Sequence, residues 1–221
     1  MTSMENHNSS LTDTGTDIGA GSWKKIMNKN GIIVHKRSVL NSKFLEFKGE
    51  TEIKSSLSSF AALMLDAENM SSWMHKTKEV RVLEQISDNE RIAYMRFDFS
   101  PLPGRDLVVK NAVSQNPDTL TVTYSMEFLE THHALDKSDF GHMKGLRGVA
   151  TATPLQDGSI RFSYQTHIEP GSELLLLPLA PTITNKLLSD TPFYTLKNAR
   201  KLIAESRYQN AKFDFIKNIG D

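Results

Sequence analysis

The chain has 221 residues, enough for one ordinary domain with a sizeable core, and its 26 Lys and Arg balance 26 Asp and Glu. With a pI of about 7.1, it offers no general electrostatic reason to expect a nucleic-acid partner. The absence of cysteine removes disulfides, thiolate metal sites and cysteine nucleophiles together, and suits a reducing compartment.

The opening stretch, MTSMENHNSSLTDTGTDIGAGS, has neither the basic nor the apolar region of a secretory signal. Its Ser, Thr, Asn, Gly and Asp content resists burial, so residues 1–21 read as a disordered tail. No apolar run approaches the ~20 residues of a membrane helix; the longest is Leu174–Leu177. A cytoplasmic protein is expected. Order begins near Ser22, read as the N-cap of a short helix over 23–30 that Gly31 ends. IIVHKRSV (32–39) and FLEFKGETEI (44–53) then read as strands. A helix follows, with Ser55 or Ser56 as its N-cap and Leu57, Phe60, Ala61 and Met64 at helical spacing, and a second short helix covers Met70–Met74.

The period then drops from 3.6 to 2. Strands are expected over 79–86, 91–99, 106–115, 119–128, 143–154 and 159–168, joined by hairpin signals such as Asn116-Pro117-Asp118 and Gln156-Asp157-Gly158. Alternation is clearest where Leu120, Val122, Tyr124, Met126 and Phe128 share one face and Thr121, Thr123, Ser125 and Glu127 the other. One face is dry and one wet, as in an antiparallel sheet. On the strand over 91–99, Met95, Phe97 and Phe99 are expected inside and Arg96 and Asp98 at the surface. Residues 129–142 form a longer connection. After Pro181 the helical period returns through Ile183, Leu187, Leu188, Phe193, Leu196, Ala199, Leu202 and Ile203, interrupted at Pro192. That implies a kink, or two helices meeting at Thr191 as an N-cap. The class is α+β: about eight antiparallel strands curve around a long C-terminal helix. A sheet of that size with one dry face curls, and one helix does not fill its concavity, which leaves room for a small apolar molecule.

Chemical motifs are few. SPLPGRDLVV (100–109) leads into a strand and lacks Gly-Lys-Ser/Thr, so it is no phosphate loop. It reads as a rigid corner set by Pro101, Pro103 and Gly104, with Arg105 or Asp106 as a polar anchor at the rim of the concavity. Arg105 is expected to be partly buried and bonded to a carboxylate. His132, His133 and His142 lie in the long connection without metal-site spacing, so solvated loop histidines are expected and no metal or other cofactor. No Gly-x-Ser-x-Gly elbow occurs. Phe97, Phe99, Tyr124, Met126, Phe128 and Met143 are core by default, and would line a pocket in a curled sheet.

From about Trp23 to Ser206 the ordered set GIIVHKRS, GETEI, DAENMSSWMHKTKEVRVLE, PLPGRDLV, IEPGSELLLLP and TNKLLSDTPFYTLKNARKLI resembles the START domain, the lipid-transfer domain related to the steroidogenic acute regulatory protein. More broadly it resembles the helix-grip superfamily shared with birch-pollen allergens and polyketide cyclases. One departure is Pro170-Gly171-Ser172, where such domains commonly have a second glycine. The resemblance implies a helix-grip domain over 22–208 and a C-terminal tail over 209–221. It also implies a stand-alone, non-enzymatic pocket for a sterol, phospholipid or other hydrophobic small molecule. Arg105 and Asp106 match the family's Arg-Asp pair, and the helix bearing Ile183, Leu187 and Tyr194 matches its lid. Transient contact with a membrane surface would accompany exchange. A cyclase/aromatase-type enzyme is the alternative, with Arg105, Tyr124 or His167 as its acid or base. An interaction scaffold, its cavity filled by side chains to below roughly 300 Å³, is the third reading.

Overall fold

The computed structural model describes residues 21–136, 138–171, 176–177 and 179–220. The proposed N-terminal tail lies outside them apart from Gly21, as do Ser172 of the turn before the lid and Leu174 and Leu175 of the apolar run that follows it.

Among the described residues there are ten strands. They are β1 (Lys24–Lys29), β2 (Ile32–Arg37), β3 (Glu46–Ile53), β4 (Thr77–Gln85), β5 (Glu90–Phe97), β6 (Arg105–Gln115), β7 (Val122–Leu129), β8 (Gly141–His142), β9 (Gly145–Pro154) and β10 (Ile160–Glu169). The helices are α1 (Leu57–Leu65), α2 (Met70–Trp73), α3 (Ala180–Ser189), α4 (Thr191–Leu202) and α5 (Ser206–Gln209). The strands form one curved sheet in the order β1-β2-β3-β10-β9-β7-β6-β5-β4. Every pairing is antiparallel except that of β8, which lies parallel to the start of β6. A large antiparallel sheet with its long C-terminal helical segment is the arrangement expected from the period change, and it is the helix-grip arrangement that the resemblance implies.

The helix expected over 23–30 is instead strand β1. Asn30 (φ 54) and Gly31 (φ 71) both take left-handed angles, the signature of the two-residue hairpin turn that Asn-Gly favours. A register shift between Lys25 and Met27 breaks the alternation that would have announced a strand. Charged Lys24, Lys25 and Lys29 keep this edge strand open to water, which discourages pairing with another chain. Together, β1 and the two-residue β8 raise the strand number from about eight to ten.

The remaining boundaries follow from local chemistry. Ser56 caps α1 by accepting from the Ser59 amide at 3.0 Å. At Pro192 the C-terminal segment divides into two helices with Asp190 between them, and Thr191 is the first residue of α4 rather than its cap. The core lies between the concave face of the sheet and α1, α2 and α4. Helix α4 packs on β2, β3, β10 and α2. It comes so close at Gly49 that a Cβ there would stand 2.7 Å from Pro192 Cβ and 2.8 Å from Leu196 Cδ1. Residues 211–220 are docked as well. Ile216 is buried in the core, the Lys217 amide donates to Gln115 Oε1 at 2.8 Å, and the Ser58 amide donates to Asn218 Oδ1 at 3.1 Å.

Candidate functional site

A cavity opens where the concave face meets the α3–α4 junction. Its walls are Met74, His75 and Lys76 between α2 and β4; Phe97 and Phe99 at the end of β5; Met126 on β7; Met143 and Leu146; Tyr164, Thr166 and Ile168 on β10; and Leu188 and Thr191 from above. The strand residues point inward because each sits on the dry side of its alternation. Gly148 has no side chain, which lets Met126 lie across β9: a Cβ at Gly148 would meet Met126 Cε at 2.2 Å. The open volume is about 30 Å³, room for a water or two. That is well below the roughly 300 Å³ of a small-ligand pocket, so a lipid needs the cover to move.

Burial sets the protonation of the walls. His75 has its pKa pushed below the usual histidine value by burial, with Lys76 acting in the same sense and Asp190 against it. The Tyr164 phenol is pushed up to about 12 by burial, partly offset by its hydrogen bond with Thr166. Both groups are therefore neutral near pH 7.

Of the side chains expected to bind, Phe97, Phe99, Met126 and Met143 meet at this cavity. Tyr124 and Phe128 share Met126's face. Tyr124 is buried with its hydroxyl 4.0 Å from Met70 Sδ, and Phe128 packs half-buried on the core. Ile183 and Leu187 are half-buried on α3, and Tyr194 is 40% exposed with its ring 4.9 Å from that of His75. The cover's cavity residues are instead Leu188 and Thr191. Sequence reasoning also missed Tyr164, Thr166 and Ile168, which the period-2 pattern of 159–168 could have supplied. His75 and Lys76 lie between elements and carry no periodic signal.

Arg105 and Asp106 fix the corner around the cis Ser100–Pro101 bond. Arg105 is buried, but its bonds run to main-chain carbonyls rather than to the expected carboxylate: Nε donates to Pro170 O at 2.8 Å and Nη1 to Gly104 O at 3.1 Å. Asp106, one residue on, faces the opposite side of the sheet. There it accepts from Tyr94 at 3.0 Å and from Ser138, and it pairs with His142 Nδ1 at 2.6 Å. These bonds tie down the 129–142 connection. His167 also faces away from the cavity, with Nε2 3.3 Å from Ser42 Oγ and 3.4 Å from Glu169. The three acid–base candidates Arg105, Tyr124 and His167 thus do not converge. Among the described residues no cluster of His, Asp and Glu could hold a metal.

A second feature lies deeper on the dry face. Asn111 is 2% exposed, and both atoms of its amide lack partners, as does Trp73 Nε1. Asn111 stands beside Arg91 in the β5–β6 register and opposite the cavity residue Met126 in the β6–β7 register. Arg91 is buried and donates to Leu65 O at 2.5 Å and Met64 O at 2.8 Å, so its charge sits on the negative end of α1. Among the described residues it makes no ion pair. The Tyr124 phenol is pushed up by burial, against the influence of Arg91. An apolar interior thus contains a cation, an orphaned amide and a phenol. A larger cleft of about 480 Å³ between the start of α1, the β9–β10 turn and the C-terminal segment is open, and polar groups of its lining bond one another, as Gln209 does Ser55 and Ser159 does Asp157.

Against solved structures, the architecture has clear counterparts. A STAR-related lipid transfer protein from Xanthomonas axonopodis superposes with a TM-score of 0.68 at 24% identity, over 83% of this chain and 99% of that one. The fold is that of the START domains. Human StAR-related lipid transfer protein 5 shares the START fold at a TM-score of 0.68 and 14% identity, over 82% of this chain and 86% of its own. The Zhui aromatase/cyclase of a Streptomyces species reaches a TM-score of 0.50 at 10% identity, over 72% and 92%. In sequence, the chain is 28% identical to an uncharacterized protein of Pseudomonas aeruginosa over 189 residues, 85% of this chain and 89% of that protein. No family model matches the chain.

Proposed function

We propose that this START-fold protein binds a lipid or other hydrophobic small molecule between the dry face of its sheet and the α3–α4 cover, and exchanges it at a membrane surface. The observation that carries this reading is the buried polar set beside the cavity. An unpaired amide inside an apolar core costs about 1–3 kcal/mol, and Asn111 leaves both of its polar atoms unpaired. A ligand whose polar end reached Asn111 and Arg91 would relieve that cost while its apolar body displaced the flexible Met126 and Met143. Around each mole of ligand, roughly 25 cal/mol would be gained for every Å² of apolar surface leaving water.

Two further observations support the reading. The lipid-transfer names of the fold's counterparts agree with it, and exposed Leu176, Leu177 and Leu179 stand just before α3, where a bilayer contact would assist exchange. No described helix is long and apolar enough to cross a membrane. The 30 Å³ volume favours the scaffold reading, in which side chains fill the space for good. Permanent filling, however, would leave Asn111 and Trp73 orphaned. An enzyme of the cyclase type would have to draw on His75 and Tyr164, the cavity's own titratable groups apart from Lys76. Both are held neutral by burial, and none of Arg105, Tyr124 and His167 joins them in the cavity wall.

The test is native mass spectrometry of the purified chain with a panel of phospholipids, sterols and fatty acids, alongside Asn111→Leu. The wild type is expected to carry one ligand per chain, and the variant to bind it about tenfold more weakly, as loss of a hydrogen bond to a buried group implies. If no member of the panel binds or stabilises the wild type, the reading fails.

A further inference from the structure

The two halves of the cover are fastened differently. Helix α4 is tied to both flanks: the His75 amide donates to Thr195 Oγ1 at 3.1 Å, Asn198 Nδ2 to Trp73 O at 3.4 Å, and Arg200 to Asn30 O at 3.0 Å and Thr51 Oγ1 at 2.8 Å. Helix α3 packs chiefly on α4. It buries only Ala180, Thr184 and Leu188, a narrow stripe at every fourth residue. Its N-cap, Leu179, carries a left-handed φ of 64 with no side-chain cap bond, a conformation a β-carbon disfavours. Among the described residues the side chain that ties α3 to the sheet side is Asn185. Its Oδ1 accepts from the Leu45 amide at 2.8 Å, and its Nδ2 donates to Lys43 O at 3.1 Å. One orientation of the amide alone satisfies both, because the backbone supplies one donor and one acceptor.

We propose that α3 is the moving half of the cover, that it turns about Asp190 while α4 stays in place, and that Asn185 is the clasp that holds it shut. Asn185 is half-buried, so water replaces its two partners as it leaves, and the clasp opens without stranding a polar group. The movement withdraws Leu188 from the cavity roof and leaves Thr191 at the hinge. In purpose this rests on the ligand-binding reading; its test does not.

Hydrogen exchange on the ligand-free chain reads α3 and α4 separately. With Asn185→Ala, amides of 180–189 are expected to exchange about tenfold faster, the effect of two lost hydrogen bonds, and those of 191–202 at the wild-type rate. Uptake of the dye anilinonaphthalene sulfonate should quicken in step. Because the chain has no cysteine, a Lys43→Cys, Asn185→Cys pair joined by a short bis-maleimide restores the tie without the amide, and should slow dye uptake below the wild-type rate. Unchanged α3 exchange in Asn185→Ala, equal acceleration of α3 and α4, or undiminished dye uptake in the bridged protein would each overturn the clasp. Failure of every lipid to bind would remove the proposed function and leave the α3 result standing.

Discussion

Helices α3 and α4 are separated by Asp190 alone, yet they are held by different physics. Helix α4 buries Phe193, Leu196 and Ala199 against the sheet and adds side-chain bonds on both flanks. Helix α3 buries one large apolar side chain, Leu188, and spends Thr184 on a buried hydroxyl with no partner. At about 1.5–3 kcal/mol for each large apolar side chain taken from water, α4 is anchored and α3 is merely closed. Covalent continuity therefore does not make them one unit. A narrow stripe with one large apolar residue is enough to cover a cavity without welding the cover shut.

The contrast breaks most directly at Leu196 and Leu188. Leu196→Ala should lower global stability by about 3 kcal/mol, as a fully enclosed leucine does. Leu188→Ala, at a site that already borders open space, should cost about 2 kcal/mol, the low end for a buried leucine with little cavity left to create. Urea denaturation measures both, and equal losses would mean that the two helices are anchored alike.

A smaller effect is expected from pH. His75 touches the first turn of α4 through Tyr194 and has Lys76 and Asp190 as its charged neighbours. Its folded pKa lies below the value of 6.5 taken for the unfolded chain, so between the two the unfolded state holds more protons. The stability contribution is thus complete above about pH 6.5 and is lost as pH falls towards the folded pKa. His35 and His167 are lowered in the same direction, again chiefly by burial. Acidification from pH 7.5 to 5.5 should therefore destabilise the wild type, and His75→Gln should flatten part of that slope. Hydrogen exchange at Tyr194 should report the same change locally; an identical slope in His75→Gln would separate His75 from the hinge.

The smallest change should be a gain. Thr184→Val keeps the branched shape and removes a hydroxyl that is fully buried without a partner. Stability should rise by about 1 kcal/mol, with slower exchange in α3. A loss would show that the hydroxyl is bonded in solution and that α3 is better fastened than its contacts indicate.

Much of this architecture was legible along the chain. Val122, Tyr124 and Met126 lie on the dry face as their alternation requires, and Ser56 caps α1. Pro192 divides the C-terminal segment, although the capping position is Asp190 and not Thr191. The first hairpin was misread because the shift at Lys25–Met27 hid its alternation, while its best signal, Asn30-Gly31, is a two-residue turn. The candidate site was legible only in part. Phe97, Phe99, Met126 and Met143 converge, whereas Tyr194 turns outward and Arg105 finds carbonyls where a carboxylate was expected. Asn111 shares its parity with Leu107, Val109 and Val113, so the pattern of 106–115 puts it on the dry face, but nothing in the sequence tells that its amide is left there without partners.

By itself the sequence determined the elements and the face on which each residue lies, because period and turn chemistry are local properties. Tertiary structure decided which dry-face residues are packed and which border space. That depends on the curvature of the sheet and on which strands, distant in the chain, are brought beneath α3 or α4. Met126 and Tyr124 are two residues apart on one face of one strand, yet Met126 lines the cavity and Tyr124 is sealed in the core. The same geometry makes Asn111 an orphan and Asn185 a clasp: each is an ordinary amide, and only its surroundings settle whether it has partners.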